Sequence, residues 1–277
     1  MKQQPASLKY DWSTYPPESA MAYEEFMVPA LFQPWARRLV ELAGPLHGKR
    51  VLDLACGTGI VARLVCPHVG DGGVVHGVDL NPHMVAVAGG LAAPPGAQIH
   101  WRVADAKDLP LPGASIDLIL CQQGLAFLDP RDDAMVEARR VAAAGARLLA
   151  SVWQPIETSP GFAELARALG ELVSPEAGAA ARSPFVLGDP QELAQLVRNA
   201  GFSDCVVLQE TGWIRMPSAR AFVQRYLGAT PLGRTVRHAG ASVEDAVIAA
   251  VERALRSYTD PNGLLFPIAA NTVLASV

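Results

Sequence analysis

The chain has 277 residues, half of them hydrophobic and 18% charged, with a formal net charge of −4 and a sequence pI near 5.9. This is a globular composition, long enough to bury a large core without disulfides or a structural metal. It argues against a nucleic-acid substrate, which calls for a strongly basic face, and its acidity is too mild to imply a cationic partner.

Residues 1–18, with Pro5, Pro16 and Pro17, read as a loose arm. From Ser19 the pattern turns helical, broken at Pro29 and near Pro34, and stops at Gly44-Pro45. A first strand follows at 50–54, then a glycine turn and a helix with Ile60, Val61, Leu64 and Val65 on one stripe. Val74–Val78 is a second strand. Asn81-Pro82 then reads as an N-cap followed by proline in the first helical turn. Residues 98–103 make a third strand. After a proline loop, Ile116–Cys121 reads as a short apolar fourth strand suited to the middle of a parallel sheet. Asp129-Pro130 is expected to cap a helix ending near Gly145, and Arg147–Trp153 to form a fifth strand.

Beyond Trp153 the alternation is lost until Gly188. Asp189-Pro190-Gln191-Glu192 is then a capping box opening a helix on Leu193, Leu196, Val197 and Ala200, closed by Gly201. Val206–Leu208 is a sixth strand. Residues 217–258 are helical again, with an apolar stripe from Val243 to Tyr258, and a last strand covers 268–276. Alternating strands and helices mean an α/β, doubly wound and largely parallel sheet.

Cys56, Cys66, Cys121 and Cys205 are scattered, which suits a reducing cytoplasmic compartment. The six histidines lack ligand spacing, so no metal is expected. The N-terminus has no apolar signal region, and no apolar run reaches membrane-span length.

The most informative stretch is Val51-Leu52-Asp53-Leu54-Ala55-Cys56-Gly57-Thr58-Gly59. It is a buried strand carrying an acid, then a glycine turn feeding a helix. Gly57 to Ala62 satisfies G-x-G-x-x-G/A, and Asp79 follows 22 residues after Gly57 at the end of the next strand. The glycines allow a tight turn and close backbone approach to a ligand, and the strand-end acid is placed to accept from ribose hydroxyls.

The segment resembles motif I of the class I S-adenosylmethionine (SAM) dependent methyltransferases, an acid followed by x-x-x-G-x-G, over residues 50 to 153. The match is closest to small-molecule members of the broad ubiquinone/menaquinone-biosynthesis type. The resemblance implies a seven-stranded Rossmann-like sheet in the order 3-2-1-4-5-7-6 with a helical cap. It places Asp53, Ala55, Gly57, Thr58 and Gly59 around SAM. Asp79 corresponds to the ribose-binding acid, and Asp105, in Ala104-Asp105-Ala106, to the adenine-binding acid. Leu80 and Met84 are candidates to sandwich the adenine, with ordinary core packing as the other reading for each. Gln122 and Gln123 end the fourth strand facing the methionine part and the acceptor. Tyr23 and Trp35 are picked for the cofactor mouth.

On this reading the chain divides into an N-terminal arm and cap (1–48), the SAM-binding core (49–153), a cap insertion (154–187), more core (188–212), a second insertion (213–265) and a last core strand (266–277). Aromatics such as Trp12, Tyr15, Phe32, Phe127, Trp153, Phe162, Trp213, Tyr226, Tyr258 and Phe266 gather in the cap segments and at strand ends, where they suit enclosure of a small apolar acceptor. The expected activity is methyl transfer from SAM to an O, N or C nucleophile of a small organic acceptor, with S-adenosylhomocysteine as product. No catalytic base announces itself, and neither a nucleic-acid nor a membrane partner is expected. Homodimerisation stays open.

Fold does not fix chemistry. A cyclase or lyase that keeps SAM as a structural ligand is one alternative. A non-catalytic SAM-binding partner subunit using helix 242–258 is another. A dehydrogenase ranks last, since the lysines, Lys2, Lys9, Lys49 and Lys107, form no Tyr-x-x-x-Lys pair.

Overall fold

The computed structural model describes residues 16–277; Trp12 and Tyr15 lie outside the described residues. Helix α1 (Pro17–Ala22) runs into a π-helical stretch, Tyr23–Phe32, and then into α2 (Gln33–Ala43). Pro29 and Pro34 therefore do not break the helix. Pro29 is absorbed by the wider π turn, in which the Gln33 N–H reaches back to the Val28 carbonyl. Pro34 sits in the first turn of α2, where its missing N–H costs nothing.

The doubly wound core follows: β1 (Arg50–Leu54), α3 (Ile60–Val69), β2 (Val74–Asp79), α4 (Pro82–Gly90), β3 (Gln98–Val103), β4 (Ile116–Gln122), α5 (Arg131–Val141) and β5 (Ala142–Trp153). After it come α6 (Pro160–Leu172), α7 (Pro175–Arg182), α8 (Pro190–Asn199), β6 (Ser203–Met216), α9 (Ala219–Gly228), α10 (Leu232–Ala239), α11 (Ala241–Ala254), a two-residue β7 (Thr259–Asp260) and β8 (Gly263–Ser276). The sheet order is β3-β2-β1-β4-β5-β8-β6, with β8 antiparallel to both neighbours. It differs from the expected seven-strand order only by the short β7, which pairs with β8 alone.

Two apolar layers cover the sheet. Helices α2 and α3 pack on one face against Val51, Val75, Leu118, Leu120 and Leu149. Helices α5 and α8 pack on the other against Leu52, Leu54, Ile119, Leu148 and Val273. A third apolar cluster joins α6, α7 and α9–α11 to Trp153 and to the far ends of β6 and β8. Phe162 is central to it, with the rings of Phe185, Phe222, Tyr226 and Phe266 at 5.3–6.0 Å.

Several local expectations are corrected. The buried stripe of α3 is Val61, Ala62, Val65, Cys66 and Val69, with Ile60 and Leu64 only half-buried. The fourth strand is not wholly apolar, since Asp117 pairs with Arg50 at 2.6 Å on the neighbouring strand. Pro130, not Asp129, is the N-cap of α5. That helix stops at Val141 because Ala142 already pairs with Ile116 in β4. Strands β6 and β8 are far longer than expected. They pair continuously from Val206–Leu274 to Met216–Leu264, so residues 213–216 and 263–265 are strand. In α11, Ile248 is buried while Ala246 and Ala254 are exposed. The caps expected at Asn81 and Asp189 are present, each side chain accepting from two backbone N–H groups of its helix.

Candidate active site

The glycine turn is assembled by two carboxylates, Asp53 buried and Asp79 half-buried. Strand β1 ends at Leu54, and the chain turns through Ala55 (φ 56°), Gly57 (φ 53°) and Gly59 (φ 82°) into α3. Asp53, 1% exposed, accepts from the Ala62 N–H at 2.9 Å and so satisfies an orphan donor at the start of α3. One oxygen of Asp79 accepts from Gly57 N–H at 2.8 Å and the other from Asn81 N–H at 2.9 Å. Asp79 thus ties the turn to the β2–α4 junction, while Cys56 N–H bonds to the Val78 carbonyl at 2.9 Å.

Burial dominates the electrostatics. It pushes the Asp53 carboxyl up to about 7, against the Ala62 hydrogen bond, with the charge of Asp79 adding to the rise and Arg63 opposing it. Burial also raises Asp79, against the hydrogen bonds from Asn81, Gly57 and Leu80. Tyr23, beside both acids, is held well above the ordinary phenol value by burial and then by their charge. A buried carboxylate raised by the charge of a half-buried one favours a ligand that brings positive charge or hydroxyl donors.

Tyr23 lies next to the turn: a β-carbon built on Gly57 would sit 4.0 Å from its ring. Tyr23 also stacks on Phe32, with centroids 4.9 Å apart. Phe32 in turn faces Trp153, at the end of β5, at 6.3 Å. Met84 is buried against Ala20 and Tyr23, so the structure brings Tyr23, Met84, Asp53, Asp79 and the turn together.

Leu80 is 46% exposed beside them. Asp105 is half-buried, accepting from Lys107 N–H at 3.0 Å, and Ala106 is buried behind it. Gln122 donates to the Phe32 carbonyl at 2.7 Å and so anchors the π-helical stretch to the carboxyl end of β4. Gln123 (φ 57°) is buried. Its backbone N–H bonds to the Ser151 carbonyl, and its side-chain oxygen has no partner among the described residues.

Trp35 is not gathered at the turn. It packs edge-on to Trp153 at 5.7 Å and against Gly212, on the wall of an open cleft with Arg38, Glu210 and the exposed Trp213.

Three residues at the turn escaped sequence reasoning. Trp101 of β3 packs beneath Gly59 and Gly77. Arg63 donates to the Thr58 carbonyl and pairs with Glu24 at 2.7 Å. The only sequence signal for Arg63 is its place in the first turns of α3; nothing in the sequence couples it to Glu24, 39 positions earlier.

Residues 51–145 match the family model described as a methyltransferase domain. The chain is 33% identical over 212 residues to a nocamycin O-methyltransferase of Saccharothrix syringae, covering 69% of this chain and 72% of that one. It is 31% identical to a ubiquinone/menaquinone biosynthesis C-methyltransferase UbiE of Teredinibacter turnerae, covering 65% and 77%. Its fold is shared with the YcgJ protein of Bacillus subtilis (TM-score 0.57, 19% identity, 87% of this chain and 97% of that one). The chain belongs to the class I SAM-dependent methyltransferases. Within that class it stands with the enzymes acting on small molecules, and SAM is its methyl donor.

The site suits that donor. A positively charged donor suits a turn that carries Asp53 and Asp79, both raised by burial.

Proposed function

We propose that the chain methylates an O, N or C nucleophile of a small, largely apolar organic acceptor of the natural-product kind. The observation that supports this best is the aromatic run Tyr23–Phe32–Trp153, set beside Gln122 and Gln123 at the carboxyl ends of β4 and β5. Flat rings flanked by neutral amides favour a planar acceptor that carries hydroxyl or carbonyl groups and no net charge. The relatives named for nocamycin and for ubiquinone or menaquinone point the same way.

In this reading Asp79 takes the ribose, Met84 and Leu80 border the adenine, and Asp105 with Ala106 closes the far end. Asp53, Ala55, Gly57, Thr58 and Gly59 surround the methionine part. The π-helical stretch and helices α6, α7 and α9–α11 act as a cap. Bound SAM supplies an electrophilic methyl group. The protein's share is to align the acceptor with it and to exclude water, which together lower the barrier by several kcal/mol. Tyr23 stays a neutral phenol here, so it serves as a wall and hydrogen-bond donor and not as a base.

The test is mass spectrometry of the purified chain with SAM and a panel of hydroxylated quinols and polyketides. S-adenosylhomocysteine together with a product heavier by one methyl is the expected result. SAM consumed with no methylated product, or a panel member converted without gain of mass, would overturn the reading.

A further inference from the structure

Strand β6 closes the sheet on the side away from β3, and among the described residues no strand pairs with its outer edge. From Val206 to Met216 it pairs with β8 without a register shift. That run contains no bulge, proline or lysine, three devices that commonly blunt an edge strand.

An open cleft of about 200 Å³ follows this edge. One wall is the stripe Leu31, Pro34, Trp35 and Arg38, where the π-helical stretch passes into α2. The other is five consecutive residues of β6, 210–214. Side chains alternate between the two faces of a strand, so successive residues line one cleft only where it runs along the backbone. The inner edge is taken by β8, so the cleft runs along the outer one, with its unpaired N–H and C=O groups. Its volume lies below the roughly 300–1,000 Å³ of small-molecule pockets. It has the size of a side chain.

The cleft is apolar at one place and negative at another. The Trp35 ring lies over Gly212, where a β-carbon would come within 2.9 Å of it, and Ile214 is buried beyond. Arg38 is shared between Glu210 at 2.8 Å and Glu41 at 3.3 Å, so two carboxylates meet one cation. Glu210, Gly212 and Ile214 share one face at two-residue spacing; Trp213, 62% exposed, belongs to the other.

We propose that the outer edge of β6 takes up an extended segment of a partner polypeptide as an added strand. Main-chain hydrogen bonds to residues 210–214 hold it. On the α2 side it places a basic side chain against Glu210 and, two residues along, an apolar one over Trp35 and Gly212. Trp213 covers its opposite face. The site stands apart from the glycine turn, since β4, β5 and β8 lie between β6 and β1.

The experiment is calorimetric titration of the full chain with a capped peptide, Val-Thr-Leu-Thr-Lys for antiparallel addition, and with its reverse for parallel addition. One of the two is expected to bind and to slow amide exchange in residues 210–214. N-methylation of alternate amides gives the sharper readout. One set faces β6 and its methylation is expected to weaken binding at least about tenfold; the other set faces water and is expected to tolerate it. Replacing the peptide lysine by glutamate is expected to weaken binding about fivefold, and Glu210→Gln, which preserves shape, to narrow that difference.

No binding of either peptide at about 1 mM, equal effects of the two methylation patterns, or a lysine preference unchanged in Glu210→Gln would overturn the proposal. So would protection of residues 210–214 that grows with protein concentration in the absence of peptide, which would give the edge to a second copy of the chain.

Discussion

The indole of Trp101 occupies the space that a β-carbon on Gly59 would need. The second motif glycine is therefore required by packing from the sheet side as well as by its φ of 82°. Gly57 differs: its backbone is also left-handed, but the nearest atom to a built β-carbon is the Tyr23 ring at 4.0 Å. Gly59→Ala combines overpacking with a left-handed alanine and is expected to cost about 2–5 kcal/mol. Gly57→Ala carries only the backbone term, roughly 1–2 kcal/mol. Denaturant unfolding of the two variants side by side checks the difference, and equal losses would contradict the role given to Trp101.

Asp53 makes the stability of the ligand-free protein depend on pH in an unusual direction. Its folded-state value of about 7 lies above the ordinary 3.8. Between those values the folded chain holds more protons than the unfolded one, so this group's contribution falls as pH rises through that window and levels off above it. Asp53→Asn keeps an acceptor for the Ala62 N–H and removes the titration. The variant is expected to unfold with a flatter pH profile and to gain stability relative to the parent at pH 8, by no more than a few kcal/mol. Parallel profiles for the two proteins would show that Asp53 is not buried as described.

The hydrogen bond from Gln122 to the Phe32 carbonyl joins the carboxyl end of β4 to the end of the π-helical stretch. Gln122→Leu removes the donor at nearly constant volume and is expected to cost about 1 kcal/mol. Hydrogen exchange should quicken in residues 23–33 and stay unchanged in α5, on the other face of the sheet. Faster exchange throughout would mean the bond supports the whole core and not the stretch alone.

The parts of the fold legible in the sequence were those fixed by local chemistry. The strand–turn–helix at 50–69 announces itself by buried aliphatics and glycines, and Asn81 and Asp189 by the pairing of a capping side chain with proline. What stayed hidden depends on partners far along the chain. The outer part of β6 carries Glu210 and Gly212, poor strand residues that are strand because β8 pairs with each. Pro29 reads as a helix break, and only the π turn around it keeps the chain helical. At the turn, Asp53, Gly57, Gly59 and Asp79 could be picked out by spacing alone. Glu24 and Trp101 could not, because their contacts with Arg63 and with Gly59 exist only after the N-terminal stretch and β3 have docked.

The central claim is that the turn between β1 and α3 binds SAM through Asp79. The most direct measurement is calorimetry of S-adenosylhomocysteine with the parent protein and with Asp79→Ala, using NAD as the control ligand. The account predicts saturable binding to the parent, none of NAD, and at least about a tenfold loss in the variant, since Asp79 fixes the Gly57 N–H and, in the proposed reading, accepts from the ligand hydroxyls. Unchanged affinity in a folded Asp79→Ala protein, or NAD binding in place of S-adenosylhomocysteine, would contradict it.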